Sequence, residues 1–148
     1  MTIPFIQEGL PLPVGEPLLA LLSQALHQQD INLAEHQHIV FNFLNLNYHP
    51  LKGGYHPVEI RIARQDTGWQ IETIRDLCYA GYHEMCGLEP ELAFDFASSR
   101  FEHIYLGELE REEASDLYRL WERNFCAYHA IGAYQLTLQL DASYVSTH

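Results

Sequence analysis

The chain has 148 residues, of which 47% are apolar and 19% charged, a balance too hydrophobic and too weakly charged for a disordered segment and suited to one folded domain. Its 20 acids outweigh 8 bases to give a net charge of -12, and Lys52 is its single lysine, which argues against direct binding to a nucleic-acid backbone. Three cysteines, Cys78, Cys86 and Cys126, form no dense disulfide framework; no stretch approaches the roughly 20 apolar residues of a membrane span, and MTIPFIQEGLPLP is not a leader pattern. These features predict a cytoplasmic protein with neither nucleic acid nor membrane as partner.

Residues 1–15, rich in Pro and Gly, are expected to form an extended lead-in. Pro17 suits the first turn of a helix, and Leu18, Leu21, Leu22, Ala25 and Leu26 supply one apolar stripe that ends near Gln29. The chain then alternates by twos: Ile39, Phe41 and Phe43, then Val58, Ile60 and Ile62, then, after the turn Asp66-Thr67-Gly68, Trp69, Ile71 and Thr73. An irregular stretch from Tyr79 to Glu91 precedes a second hairpin, with strands at Leu92–Phe96 and Phe101–Leu106 joined through Ser98-Ser99.

Residues 108–131 carry the clearest helix. Acids crowd its start, where the positive end of the helix dipole favours them, and Leu117, Leu120, Trp121, Phe125 and Tyr128 form the expected buried stripe. Gly132 is a left-handed stop, and Tyr134, Leu136, Leu138 and Leu140 mark a last strand before a polar tail, residues 141–148. The predicted fold is a single α+β domain, a mostly antiparallel twisted sheet of five to six strands with two helices packed on one face, in the order α-β-β-β-β-β-α-β.

Parity divides that sheet. If Val58, Ile60 and Ile62 face the helices, then Glu59 and Arg61 face away, with Asn42, Gln70, Glu72, Asp95, Gln135 and Thr137. Tyr-His-Pro occurs twice in one loop, at Tyr48-His49-Pro50 and Tyr55-His56-Pro57, with Gly53-Gly54 free to reverse the chain between them. Unless Pro57 breaks the alternation, parity assigns His56 to the core side with Val58, and Tyr55 to the side of Glu59 and Arg61. Tyr48, His49, Gly53, Gly54, Tyr55, His56, Glu59 and Arg61 are therefore the candidate partner-binding or ligand-binding residues.

No glycine-rich phosphate loop, nucleophile elbow, dinucleotide fingerprint or His-Glu-x-x-His pattern is present, so no catalytic residue is predicted. Cys78, His83 and Cys86, with Cys126 and His129 on the second helix, contain zinc-type ligands but not the spacing of a standard zinc site; no metal or cofactor is predicted.

Phe41-Asn42-Phe43, the octapeptide GGYHPVEI from Gly53 to Ile60, Leu92–Phe96 and Trp121-Glu122-Arg123-Asn124-Phe125 together resemble a family of small bacterial proteins known only as a domain of unknown function, over roughly residues 10–140. The resemblance implies a single α+β domain and, for some members, association with mobile genetic elements; it implies no activity. The leading expectation is a non-enzymatic accessory or protein-interaction module whose partner is another protein. One alternative is a small metal-dependent or His/carboxylate hydrolase using His49, His56 and Glu59. Another is an acidic DNA mimic that inhibits a DNA-binding enzyme.

Overall fold

The computed structural model of the protein describes residues 3–80 and 87–141. Helix α1 (Glu16–Gln28) is followed by a 3-10 turn (Leu33–Glu35) and five strands, β1 (His38–Leu44), β2 (Val58–Arg64), β3 (Trp69–Ala80), β4 (Gly87–Asp95) and β5 (Arg100–His103). A two-residue strand, β6 (Gly107–Glu108), precedes helix α2 (Arg111–Ala130) and the final strand β7 (Gln135–Leu140). They form one antiparallel sheet in the order β6-β5-β4-β3-β2-β1-β7. The α+β class and the element order agree with the pattern of the sequence, but the sheet has seven strands rather than five to six. The addition, β6, is too short to leave a period.

Both helices join one apolar cluster with the inward residues of the sheet, including Ile39, Phe41, Phe43, Val58, Ile60, Ile62, Ile74 and Phe94. On the opposite face the ladder aligns Asn42 with Glu59 and Thr137, and Arg61 with Thr73, itself opposite Asp95. Arg61 pairs with Glu72 across this face at 3.2 Å. The division of β2 into an oily and a wet side is thus as parity predicts.

Two irregularities shift the phase further along. Between Arg61 and Ile62 the β2–β3 register slips, placing both Glu72 and Thr73 toward the wet side, so Thr73 departs from its predicted company with Trp69 and Ile71. The slip restores Ile74 to the core and carries β3 on to Ala80, through residues that alternation from Trp69 alone assigns to no strand. A second slip, between Asp76 and Leu77, gives β4 one extra residue, Glu91.

The stripe of α2 also differs from expectation. Ala114, Tyr118, Trp121 and Phe125 are its buried residues, whereas Leu120 is 46% and Tyr128 37% exposed. Tyr118 can be buried because its phenol donates to Glu122 at 2.6 Å, satisfying the polar tip. The same carboxylate accepts the Gly15 N–H at 2.9 Å, so a side chain of α2 caps the start of α1, where the N-cap residue has none of its own. Glu110 and Glu113 form a reciprocal capping box at the start of α2.

The lead-in is pinned beside the β2–β3 turn: Trp69 N–H donates to the Pro4 carbonyl and Ile6 N–H to the Trp69 carbonyl, each at 2.8 Å. Gly68 permits this approach, since a methyl group there would collide with the Pro4 carbonyl.

Phe43 is the hub of the aromatic core, stacked on Phe41 with centroids 6.2 Å apart and met edge-on by Phe125 at 5.0 Å and Tyr134 at 6.0 Å. Substitution F43A is expected to lower the unfolding free energy by about 3–5 kcal/mol in urea denaturation, as a buried Phe truncated to a cavity does. Substitution Q139A, on the exposed side of β7, is expected to stay within about 0.5 kcal/mol of the parent.

Candidate functional site

The loop between β1 and β2 closes on itself before it reaches the sheet. His49 and Gly53 exchange backbone hydrogen bonds at 2.8 and 3.2 Å, and Gly53 and Gly54 adopt positive φ of 71° and 125°, as the reversal requires. The two Tyr-His-Pro triplets face each other as a result. Tyr48 of the first packs against His56 of the second with ring centroids 5.1 Å apart, and stacks on Tyr79 at 5.2 Å. Tyr48 also accepts the Tyr79 N–H on its phenol oxygen at 3.1 Å, and burial pushes its pKa up.

The β2–β3 ladder extends one step beyond β2, with Leu77 N–H donating to the Pro57 carbonyl at 2.9 Å, and this sets His56 beside β3. Its Nδ1 lies 2.7 Å from Oδ1 of Asp76, whose second oxygen accepts the Trp121 indole N–H at 2.8 Å. Asp76 is in phase with Ile74 and opposite Val58 and Leu92, so its carboxylate is on the helix side of the sheet. An acid there must have partners, and it has one for each oxygen. The hydrogen bond to Asp76 raises the His56 pKa above its ordinary 6.5, against the opposing effect of burial.

Glu91 completes the group. As the extra residue of β4 it lies at the register slip beside Asp76, and one donor atom from each of His56, Asp76 and Glu91 falls within 4.8 Å of the others. They border a cavity of about 430 Å³ between the sheet and α2. Its walls are largely aromatic: Trp121 and Phe125 stacked at 5.1 Å, and Tyr55 set edge-on against Tyr128 at 4.9 Å with Tyr134 at 6.2 Å. The exposed Leu120 and Tyr128 lie at its rim.

Of the eight candidate residues taken from sequence, Gly54, Tyr55 and His56 line the cavity, and Tyr48 supports His56 from behind. Tyr55 is therefore beneath α2 rather than on the side of Glu59 and Arg61. Pro57, without an N–H, breaks the alternation between Tyr55 and β2. His49 is exposed with its Nδ1 accepting the Leu51 N–H at 3.1 Å, and Gly53 belongs to the turn. Glu59 and Arg61 occupy the opposite face of the sheet, so His49, His56 and Glu59 do not come together.

Asp76, Glu91 and Trp121 are the site residues that sequence reasoning missed. Ile74, Asp76 and Cys78 alternate in phase, which marks an acid in register with buried residues. The soft-ligand set is not brought together among the described residues. Cys78 is buried on β3 with its thiol pKa raised by burial and then by Glu91, and burial pushes Cys126 on α2 up to about 11. His129 packs edge-on against Phe43 at 5.9 Å, while His83 and Cys86 lie outside the described residues.

A raised His56 pKa has a definite sign in stability. The stabilisation is complete below about pH 6.5 and is lost as pH rises through the folded-state value. An NMR titration should find His56 above 6.5 and His129, which burial lowers, below it. D76N should return His56 downward and flatten the corresponding part of the stability profile while leaving His129 in place.

Comparison with known proteins is consistent with this architecture. The hypothetical protein VC0508 from the VSP-II pathogenicity island of Vibrio cholerae has a similar structure, with 36% identity, a TM-score of 0.85 and coverage of 95% of this chain and 100% of that one. The conserved hypothetical protein VC1805 from pathogenicity island VPI-2 of Vibrio cholerae O1 biovar eltor shares 35% identity at a TM-score of 0.78, over 92% of this chain and 100% of that one. The latter is described as sharing structural homology with the human P32 protein. Among curated proteins, none matches this chain. The sequence model of the family described as "Protein of unknown function (DUF2787)" matches residues 16–139, and the chain belongs to that family.

Proposed function

We propose that this domain is a non-enzymatic protein-interaction module that receives a basic side chain of a partner protein in the cavity beneath α2. The observation that supports this reading is the lining itself: two carboxylates and one imidazole at the floor, aromatic walls, and no Lys or Arg among the described lining residues. The floor thus carries more acidic than basic groups. An ammonium or guanidinium group gains charge-assisted hydrogen bonds at such a floor and cation–π contact with such walls, the latter about 0.5–2 kcal/mol per contact. The volume is within the range of pockets that hold small ligands or single side chains. The pathogenicity-island origin of both Vibrio cholerae relatives supports a setting on mobile genetic elements.

A hydrolytic reading is favoured by one observation, the 2.7 Å pair of His56 and Asp76, which has the form of an oriented general base. Among the described lining residues none is Ser, Thr or Cys, so such chemistry would depend on an activated water. The DNA-mimic reading gains nothing from Glu110 and Glu113, whose carboxylates are engaged in capping α2.

Capped tripeptides with a central Lys, Arg or norleucine distinguish a cation pocket from a merely greasy one. We expect the Lys and Arg peptides to shift the Trp121 indole NMR signal saturably and the norleucine peptide to bind at least about tenfold more weakly, about 1.4 kcal/mol. D76N and E91Q should weaken the charged peptides, whereas E59A and R61A, on the far face, should not. Equal binding of norleucine, or sensitivity confined to Glu59 and Arg61, would reject the cavity as the docking point.

A further inference from the structure

We infer that His56, Asp76 and Glu91 also form a chelating site for a divalent transition-metal ion of the zinc class, which competes with a basic side chain for the floor of the cavity. The inference uses the cavity described above but rests on its donor atoms, not on peptide binding. One imidazole nitrogen and two carboxylate oxygens are a borderline donor set that Zn²⁺ and Mn²⁺ accept. Metal–ligand bonds of about 2.1 Å at tetrahedral angles put neighbouring donors about 3.4 Å apart, so the 2.7 Å between His56 Nδ1 and Asp76 Oδ1 has to open by only about 0.7 Å. Glu91 starts within 4.8 Å and has the side-chain torsions to close the remaining distance.

The three donors have separate origins: His56 from the lead into β2, Asp76 from β3 and Glu91 from the extra residue of β4. Two of them are held from outside the group. Trp121 orients the Asp76 carboxylate through its second oxygen, and the Tyr48 ring backs His56. Such outer contacts reduce the reorganisation that a metal requires. Coordination through Nδ1 takes the neutral imidazole with its remaining proton on Nε2: a neutral ring shifts its proton there, and a protonated ring releases one proton to solvent as the ion binds.

Sequence spacing gives no sign of this set. His56, Asp76 and Glu91 are too far apart along the chain to match a local motif, and the site exists only because the two register slips bring the acids into phase.

The test uses the full chain, stripped with chelator and titrated with Zn²⁺, Mn²⁺ and Mg²⁺ by calorimetry. One ion per chain is expected, with Zn²⁺ tighter than Mn²⁺ and Mn²⁺ tighter than Mg²⁺. H56A and E91Q should each weaken Zn²⁺ at least tenfold, and the isosteric E91Q separates lost ligation from lost packing. Below the raised His56 pKa, affinity should fall by about tenfold per pH unit, one proton per ion. Absence of one-to-one binding, or Zn²⁺ affinity unchanged in both variants, would overturn the metal site. Lys-peptide titrations in chelator report on the docking reading alone; if the peptide binds with the same affinity with and without saturating Zn²⁺, the competition is refuted.

Discussion

The Asp76 carboxylate is the constraint on which the arrangement around the cavity depends. It stands on the oily side of the sheet, where an unpartnered charge would cost several kcal/mol, and its two oxygens are taken by groups from different parts of the chain, the His56 imidazole and the Trp121 indole. One side chain thereby fixes the loop between β1 and β2, the middle of β3 and the face that α2 presents. The tolerance for an acid here comes from incomplete closure: α2 covers Phe94 and Phe43 fully but leaves a gap over Asp76, with Leu120 and Tyr128 at its edge.

That gap explains why α2 lacks a simple stripe. Over the closed part of the sheet it buries Ala114, Tyr118, Trp121 and Phe125; over the open part, apolar residues remain partly in solvent. A large exposed apolar side chain beside a polar floor is the combination a binding site needs, since single exposed leucines elsewhere require no explanation.

Much of the fold was legible because β1, β2, β7 and α1 obey their periods. Ile39, Phe41 and Phe43 and the trio in β2 gave the correct inner face, and Gly132 ends α2 in the left-handed conformation expected of it. The site was legible only in part. The Tyr-His-Pro loop pointed to His56, but a fixed two-residue period fails wherever a strand gains a residue. It failed at Glu72 and Thr73, hiding Asp76, and again at Glu91. Tyr55 was assigned to the wrong side because a proline intervenes between it and β2. Pairwise contacts such as that of Trp121 with Asp76 span 45 positions and leave no local signature.

The strand order carries a consequence for how the chain assembles. β1 lies between β2 and β7, so its second flank is filled by the last strand, nearly a hundred residues downstream. During synthesis the hairpins from β2 to β5 have their partners early, while Phe41 and Phe43 wait on a half-finished margin until Leu136 and Leu138 leave the ribosome. The domain is thus most exposed to mispairing in the interval before β7 is made.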